Sequence, residues 1–201
     1  MFKLYGSCNT GNSKMRLLIT GVSGFIGYQT AVLAKKAGHE VIGVGRTPLS
    51  DKLKQIGVTE FLWDGWPTEM SSGPFELLIQ NQGCFDAIIH IAGDAHYGNG
   101  PHYHDSNFRP TELLVKHALK FNPHCRFVFV SSVGAQDFPR FGSTQTHDEE
   151  TLPRPRSDYG ASKLSGERFI EASGLDYAIA RLGMVFGRNM RPDSHVAVLL
   201  R

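Results

Sequence analysis

The sequence lacks the features of disulfide-bonded, nucleic-acid-binding and membrane-spanning proteins. Its 201 residues include only three cysteines and no Cys-x-x-Cys pair, so a disulfide framework or zinc knuckle is not expected and a reducing compartment is favoured. The net charge is only +2 at pH 7, which gives no electrostatic reason to expect a nucleic-acid partner. No apolar run approaches the roughly 20 residues needed to cross a bilayer. These absences favour a cytoplasmic protein that binds neither nucleic acid nor membranes.

The amino-terminal segment also lacks the pattern of a secretory leader. Residues 1–14, MFKLYGSCNTGNSK, carry two lysines but no long apolar core, unlike a signal peptide. A second methionine, Met15, opens the first apolar run directly. Residues 1–14 are therefore predicted to be an extension that precedes the folded domain.

The sequence does contain a regular alternation of short apolar runs and helical patterns. The predicted strands lie in the segments LLIT, HEVIGVG, TEFLW, FDAIIHIAG, CRFVFVSS and DYAIARLG. Helical patterns occupy Phe25–Ala37, Phe108–Lys120 and Tyr159–Ala172, and shorter ones follow Thr47 and Met70. Strands that alternate with helices predict a parallel sheet covered on both faces, and the nearly continuous apolar strands agree. The predicted fold is α/β, a doubly wound Rossmann-type parallel sheet.

The segment TGVSGFIG links the first predicted strand to the first predicted helix. Gly21 allows the tight turn, Gly24 lets the backbone approach a pyrophosphate, and Gly27 lets the helix pack against the strand. The N–H groups at the helix start, with Phe25 and Ile26, favour phosphate oxygens. A glycine triplet alone also fits an ordinary tight turn. Its place between a strand and a helix, with a second strand soon after, favours a dinucleotide site.

The end of the second predicted strand bears on the choice between the two nicotinamide dinucleotides. An acidic residue there bonds the ribose hydroxyls of NAD, whereas an arginine accommodates the extra phosphate of NADP. Gly45 takes the acidic place and Arg46 follows it, and a guanidinium can hold a phosphate with two hydrogen bonds. NADP is therefore favoured over NAD, unless Arg46 is only a solvated loop residue.

The segment YGASK places Tyr159 and Lys163 four residues apart, so both side chains lie on one face of a helix. A nearby ammonium favours the phenolate and lowers the pKa of a tyrosine, which suits general acid–base catalysis. Ser131 and Ser132 close the fifth predicted strand; either could orient a substrate oxygen, with Ser132 the first choice. A Tyr and a Lys at this spacing also occur on ordinary exposed helices, but the serines and the glycine loop favour an active site.

The order and spacing of these motifs resemble the extended short-chain dehydrogenase/reductase family, in particular its nucleotide-sugar epimerase and dehydratase group. The resemblance covers about residues 16–188 and is carried by TGVSGFIG, LWDG, HIAG, SNFRPTELL, VSS, YGASK and RLGMVFGR. It implies hydride transfer between a sugar carbon and a nicotinamide, with a tyrosine moving the hydroxyl proton. These motifs are specific for the family and much less specific for a substrate.

The resemblance also implies roles for individual residues. Asp64 would contact the adenine amine with Gly65 beside it, and Ala92 and Gly93 would line the cofactor near the phosphates and ribose. Asn107 would support the lysine or the cofactor. The implied catalytic residues, of which the tyrosine and the lysine also contact the cofactor, are Ser132, Tyr159, Lys163 and Asn107.

The chain departs from this family in two places. Dehydratases of the family carry an Asp-Glu pair directly after the catalytic hydroxyl, but Val133 and Gly134 stand here, which argues against a dehydratase. The family continues well beyond the VFG motif with a substrate-binding lid, whereas this chain stops at Arg201. The expected organisation is an extension (1–14), an NAD(P)-binding Rossmann domain (15–190) and the start of a truncated substrate-binding region (191–201).

The leading hypothesis is an NAD(P)-dependent oxidoreductase or epimerase that acts on a nucleotide sugar or a similar small molecule. An epimerase keeps NAD bound and a reductase releases NADP, so Gly45 and Arg46 favour the reductase. The alternative is a non-catalytic dinucleotide-binding module or truncated subunit, which the early chain end favours and the intact Ser-Tyr-Lys set opposes. The resemblance also implies a homodimer through the helices near 108–120 and 159–172.

Several histidines lie outside the residues to which the motifs above assign a role. The segment GDAHYGNGPHYHD contains imidazole and carboxylate groups, which are metal ligands in many proteins. Their spacing matches no ligand pattern, so a substrate-facing polar loop is favoured and no metal site is predicted. His90, inside an apolar strand, is expected to be a core histidine with satisfied hydrogen bonds.

Overall fold

The computed structural model describes residues 14–63, 74–94, 99–136, 146, 148–187 and 190. The strands are β1 (Arg16–Thr20), β2 (Glu40–Gly45), β3 (Thr59–Leu62), β4 (Ala87–His90), β5 (Arg126–Ser132) and β6 (Asp176–Leu182). The α-helices are α1 (Phe25–Lys36), α2 (Asp51–Gln55), α3 (Pro74–Gln82), α4 (Arg109–Phe121) and α5 (Asp158–Glu171). Each coincides with a predicted strand or helix. None of the described helices is long and apolar enough to cross a membrane.

The strands are all parallel and form a six-stranded sheet in the order β3-β2-β1-β4-β5-β6. The chain moves outward from β1 to β3 and then from β4 to β6, so the strand order reverses between β1 and β4. Thr20, at the end of β1, lies in register with Val44 and with His90. Ligands of open α/β sheets bind at such a reversal, outside the carboxyl ends of the strands. The predicted doubly wound fold is confirmed.

Apolar side chains cover both faces of the sheet. Leu18 belongs to a buried cluster with residues of α3, α4 and α5, whereas Leu17 and Ile19 belong to a second cluster with residues of α1 and α2. Successive side chains of a strand point to opposite faces, so β1 contributes to both clusters. Burying one side chain such as Leu18 stabilises the fold by about 1.5–3 kcal/mol. Burial on both faces accounts for the continuous apolar strands in the sequence.

The beginning of α4 differs from the sequence prediction. The predicted helix begins at Phe108, but a π-helical turn, His104–Phe108, precedes Arg109 without a break. Pro110 lies in the first turn of α4, where it has no N–H group to donate to a carbonyl of the preceding turn. Turns of the π type are rare and frequently occur at functional sites. This one carries Asn107, whose side chain is buried.

A close backbone contact fixes the start of α5 against the end of β5. A short 3-10 turn, Val133–Ala135, follows β5, and the N-cap Ser157 of α5 accepts a hydrogen bond from Gly160 N at 3.0 Å. An added Cβ at Gly160 would lie 2.0 Å from Gly134 O. Because glycine alone allows this approach, α5 can hold Tyr159 beside the end of β5.

The substitution Gly160→Ala is expected to destabilise the fold by about 3 kcal/mol, because the new methyl group meets a backbone carbonyl that belongs to a tight turn. Gly183→Ala is the matched control, since an added Cβ there has no neighbouring segment within 4 Å. Its effect should stay within about 0.5 kcal/mol. Urea denaturation measures the free energy of unfolding of both variants, and equal values would contradict the close contact.

Candidate active site

The turn after β1 is built from close backbone contacts. Gly21 has a φ of +70° and donates from its N–H to Val44 O at 2.9 Å. An added Cβ at Gly21 would lie 2.8 Å from Ala92 N, and one at Gly27 would lie 2.1 Å from Gly21 O. Glycine is therefore required at both positions. The turn after β1 is therefore in close contact with the start of α1 and with the loop after β4.

The N-terminus of α1 has the character of an anion site. Gly24 is its exposed N-cap and makes no side-chain capping hydrogen bond. The first turn, which begins with Phe25 and Ile26, contains no acidic residue. The first N–H groups of a helix lack intrahelical partners and lie at the positive end of the helix dipole. These residues fit the diphosphate group that the glycine spacing predicts.

The end of β2 adjoins the same turn. An added Cβ at Gly45 would lie 3.4 Å from Ser23 Oγ, so the strand end and the glycine turn are neighbours. Arg46 follows in an exposed position, where a guanidinium is accessible to a ligand phosphate. Asp64 and Gly65, the predicted adenine contacts, lie outside the described residues.

Gly93 connects the two predicted halves of the site. It follows Ala92, whose N–H donates to Thr20 Oγ1 at 3.2 Å. An added Cβ at Gly93 would lie 2.6 Å from Asn107 Oδ1 and 3.5 Å from Lys163 Nζ. The loop after β4 therefore contacts the glycine turn on one side and two predicted catalytic residues on the other.

The side-chain amide of Asn107 ties this loop to α5. Its Oδ1 accepts from Asp94 N at 2.6 Å, and its Nδ2 donates to Asp94 O at 3.2 Å and to Ser162 Oγ at 3.1 Å. The Ser162 hydroxyl in turn donates to Tyr159 O at 2.7 Å. Both amide hydrogens are used in this way, so Asn107 acts on the site by fixing backbone positions around it.

Tyr159 is buried, and its hydroxyl shares a hydrogen bond with Ser132. Ser132 Oγ also accepts from Gly134 N at 3.1 Å, and the Tyr159 ring lies edge-on to Tyr103 with centroids 5.8 Å apart. Burial raises the pKa of Tyr159, and the hydrogen bond with Ser132 offsets this only in part. The expectation of a lowered pKa for Tyr159 is wrong for the structure described, because burial outweighs the interaction that lowers it.

Lys163 is buried on the same helix, and its ammonium donates to Val130 O at 3.1 Å. Nζ lies 5.0 Å from the centroid of the Phe129 ring, within the range of a cation–π contact. Burial lowers the pKa of Lys163 to about 8, and the charge of Glu167 acts in the opposite direction. Burial therefore favours the neutral forms of both Tyr159 and Lys163.

A buried ion pair next to the lysine was missed by the sequence analysis. Glu167 is only 1% exposed, and Arg181 binds its carboxylate through Nη2 at 2.7 Å and through Nε at 3.0 and 3.1 Å. The Ser131 hydroxyl donates to the same carboxylate at 2.5 Å. Of the two candidate serines, Ser131 thus bonds Glu167 while Ser132 bonds Tyr159. The four-residue spacing from Lys163 is the signal that could have indicated Glu167.

The substitution Glu167→Gln should lower the pKa of Lys163 below about 8, because it removes a negative charge that favours the ammonium form. Glu171→Gln is the matched control, since Glu171 lies one helical turn further along α5 and is exposed. NMR titration of the Lys163 side-chain methylene signals against pH measures this pKa. If Glu167→Gln and Glu171→Gln give the same value as the unsubstituted chain, Glu167 does not influence the lysine.

The histidine-rich segment supplies polar and aromatic groups beside the tyrosine. His102 Nε2 lies 3.5 Å from Asp94 Oδ2, and the neighbouring Tyr103 is buried against Tyr159. His96 lies outside the described residues. Within the part of the chain that the structure describes, no three His, Cys, Asp or Glu side chains converge on a metal-sized site.

The segment after β6 exposes large apolar side chains. Met184 is 71% exposed, Val185 43% and Phe186 68%, and no residue of β6 is buried. An added Cβ at Gly187 would lie 3.4 Å from the Phe25 ring, so this segment passes the start of α1. Contiguous exposed apolar side chains of this kind are typical of a surface that packs against a ligand or further polypeptide.

Comparison with known proteins agrees with the geometry. The model of the NAD dependent epimerase/dehydratase family matches residues 17–201. YtcB of Bacillus subtilis (strain 168), named as an uncharacterized UDP-glucose epimerase, is 30% identical in an alignment of 196 residues that covers 89% of this chain and 59% of YtcB. Protein CapI of Staphylococcus aureus is 28% identical in an alignment of 197 residues that covers 89% of this chain and 57% of CapI. The chain belongs to the NAD-dependent epimerase/dehydratase family.

Solved structures show the same architecture. MoeE5 in complex with UDP-glucuronic acid and NAD superposes with a TM-score of 0.74 at 26% identity, over 92% of this chain and 60% of MoeE5. A putative epimerase from Burkholderia cenocepacia J2315 shares the fold with a TM-score of 0.78 at 22% identity, over 94% of this chain and 61% of that one. The family resemblance of the motifs is thus confirmed. The chain spans about 60% of the length of these relatives.

Proposed function

We propose that this chain is the dinucleotide-binding part of an enzyme that moves a hydride at a hydroxyl or ketone carbon of a nucleotide sugar, as an epimerase or an oxidoreductase. The contact at Gly93 carries the proposal, because it joins the glycine turn to Asn107 and Lys163. The hydrogen-bonded pair of Ser132 and Tyr159 lies at the same edge of the sheet. The same edge of the sheet therefore combines the features of a phosphate site with those of a proton-transfer site.

The residues present fit a nicotinamide dinucleotide. The uncapped start of α1 at Gly24 would hold the diphosphate, and the backbone at Ala92 and Gly93 would lie along the cofactor. When bound, the cofactor would accept and return the hydride. The relative MoeE5 was solved with NAD, which supports this class of cofactor. The preference for NADP, drawn from Gly45 and Arg46, stays a prediction.

In this proposal Tyr159 exchanges a proton with the substrate hydroxyl, and Ser132 orients the reacting oxygen. Burial raises the pKa of Tyr159, so the phenol form, which donates a proton, is favoured. The reverse transfer requires a stabilised phenolate. The ammonium of Lys163, four residues along the same helix, can supply that stabilisation as an opposite charge.

UDP-sugars are the first substrate class to test. YtcB is named as a UDP-glucose epimerase, and MoeE5 was solved with UDP-glucuronic acid. Val133 and Gly134 stand where dehydratases of the family carry an acidic pair, which favours epimerase or oxidoreductase chemistry over water elimination. The homodimer through α4 and α5 stays a prediction.

A second candidate function is a dinucleotide-binding module without catalysis of its own. One observation favours it. Met184 and Phe186, just after β6, are largely exposed, as is typical of a surface on which further polypeptide packs. The module would retain the glycine turn and bind the cofactor, but it would require a partner for turnover.

Calorimetric titration with NADP and with NAD tests the cofactor prediction. NADP should bind more tightly than NAD, and Arg46→Ala should weaken NADP about tenfold, the effect of losing roughly 1.4 kcal/mol of charge-assisted phosphate binding. NAD affinity should not change. Arg126→Ala is the matched control, since Arg126 is exposed and begins β5 at the opposite edge of the sheet. Tighter binding of NAD, or no effect of Arg46→Ala, would contradict the role of Arg46.

Turnover tests the role of the tyrosine. Tyr159→Phe should reduce conversion of UDP-glucose or UDP-glucuronic acid by about 10²–10⁴-fold, the usual contribution of a general acid–base group, while cofactor affinity stays nearly constant. Tyr177→Phe, on β6 and 39% exposed, is the control. Product analysis by NMR with added cofactor measures conversion. Equal turnover of the two variants would refute the catalytic assignment, and cofactor binding without any turnover by the unsubstituted chain would favour the second function.

A further inference from the structure

A chain of buried hydrogen bonds runs under the loop after β4. Ile91 N and Ala92 N donate to Thr20 Oγ1 at 3.1 and 3.2 Å. Thr20 Oγ1 lies 2.7 Å from His90 Nδ1, and His90 Nε2 lies 3.1 Å from Thr111 Oγ1. These contacts connect the end of β1 with the first turn of α4.

The chain extends to the catalytic side of the site. The Thr111 hydroxyl donates to the backbone carbonyl of Asn107 at 2.7 Å. Thr20, His90 and Thr111 are all fully buried. The path therefore leads from the loop that carries Ala92 and Gly93 to the π-helical turn that carries Asn107.

The donors and acceptors fix the direction of every bond. A threonine hydroxyl has one hydrogen and two acceptor sites. Thr111 gives its hydrogen to Asn107 O, so it must accept from His90 Nε2–H. Thr20 already accepts from two backbone N–H groups, so its own hydrogen is left for His90 Nδ1. His90 is therefore a neutral imidazole that carries its proton on Nε2.

His90 and Lys163 contact the same aromatic ring. The His90 ring stacks on Phe129 with centroids 5.7 Å apart and an interplanar angle of 24°. Lys163 Nζ lies 5.0 Å from the Phe129 centroid. Burial, with a smaller contribution from the Lys163 charge, lowers the pKa of His90 to about 3, which agrees with the neutral form.

We propose that His90 is a positioning residue, which as the neutral Nε2–H tautomer holds the cofactor-facing loop 91–94 in register with Asn107 and Lys163. The importance of this register for catalysis rests on the proposed function. The register itself does not depend on the proposed function, because hydrogen bonds within the chain define it.

His117 shows how a purely structural buried histidine differs. It is also buried, but its Nδ1 bonds Leu113 O within the same helix at 2.7 Å, and its ring packs edge-on to Phe75. His117 connects no part of the candidate site to another. It is therefore the matched control for the loss of hydrogen bonds by a buried imidazole.

The experiment uses Thr111→Val, because replacing His90 itself in the core could prevent folding. Valine keeps the shape of threonine and removes the hydroxyl that accepts from His90 and donates to Asn107. Hydrogen exchange of backbone amides, followed by NMR, reports on the loop without any substrate. The amides of Ile91, Ala92 and Asp94 should exchange about tenfold faster in Thr111→Val, because both buried hydrogen bonds of the hydroxyl are lost.

Two further variants separate positioning from general destabilisation. Thr111→Ser restores the hydroxyl and should return exchange of the Asp94 amide close to the original rate. His117→Gln should change exchange throughout α4 without a specific effect on residues 91–94. Imidazole nitrogen NMR of the unsubstituted chain should show His90 protonated at Nε2 alone.

These experiments test the positioning role of His90 independently of the proposed function. Exchange at residues 91–94 that is equal in Thr111→Val and His117→Gln, or a His90 protonated at Nδ1, would overturn it. Weaker cofactor binding by Thr111→Val, with restoration in Thr111→Ser, would support it at the level of the ligand. If the unsubstituted chain bound neither NAD nor NADP, the proposed function would fail while the exchange comparison would still decide the role of His90.

Discussion

The side-chain amide of Asn107 is the interaction on which the geometry of the candidate site depends. It holds both backbone groups of Asp94 and reaches Ser162 of α5, so it joins the loop beside the glycine turn to the helix of Tyr159. The contact requires a glycine at position 93, where a Cβ would lie 2.6 Å from Asn107 Oδ1. It also requires the π-helical turn that carries Asn107. The positions of the loop after β4, the π-helical turn and α5 therefore depend on one another.

Burial determines which protonation states of Tyr159 and Lys163 are favoured. It raises the pKa of Tyr159 and lowers that of Lys163, which in both cases favours the uncharged form. Each group is satisfied by a neutral partner, Ser132 for the phenol and the Val130 carbonyl for the lysine. A phenolate next to an ammonium would offset the desolvation of both. In the structure described, burial therefore disfavours the phenolate of Tyr159 and the ammonium of Lys163.

Local patterns were enough to predict most of the fold, because strand and helix periods and the glycine spacing are properties of short segments. The same patterns predicted a tight turn at Gly21 and close packing of the helix at Gly27. They could not predict contacts between segments that are distant in the sequence. Tertiary packing determines the π-helical turn at Asn107 and the pairing of Glu167 with Arg181. It also determines the direction in which the pKa of Tyr159 is shifted. For Tyr159, helical spacing correctly identified Lys163 as a neighbour on the same face but gave no measure of burial.

The distribution of buried polar groups indicates that this half of the molecule serves more than folding. The cluster beside α1 and α2 is apolar, whereas His90, Lys163 and Glu167 are buried on the α4 and α5 side. A buried ion pair is weak evidence for stability, because apolar side chains of similar volume often stabilise a core as well or better. Burial strongly lowers the pKa values of His90 and Lys163, and shifts of this kind are more typical of functional sites. Stability alone is therefore a weak explanation for a buried imidazole, ammonium and carboxylate on one side of the sheet, whereas the proposed function would require that loop 91–94 and α5 be held in a fixed relative position.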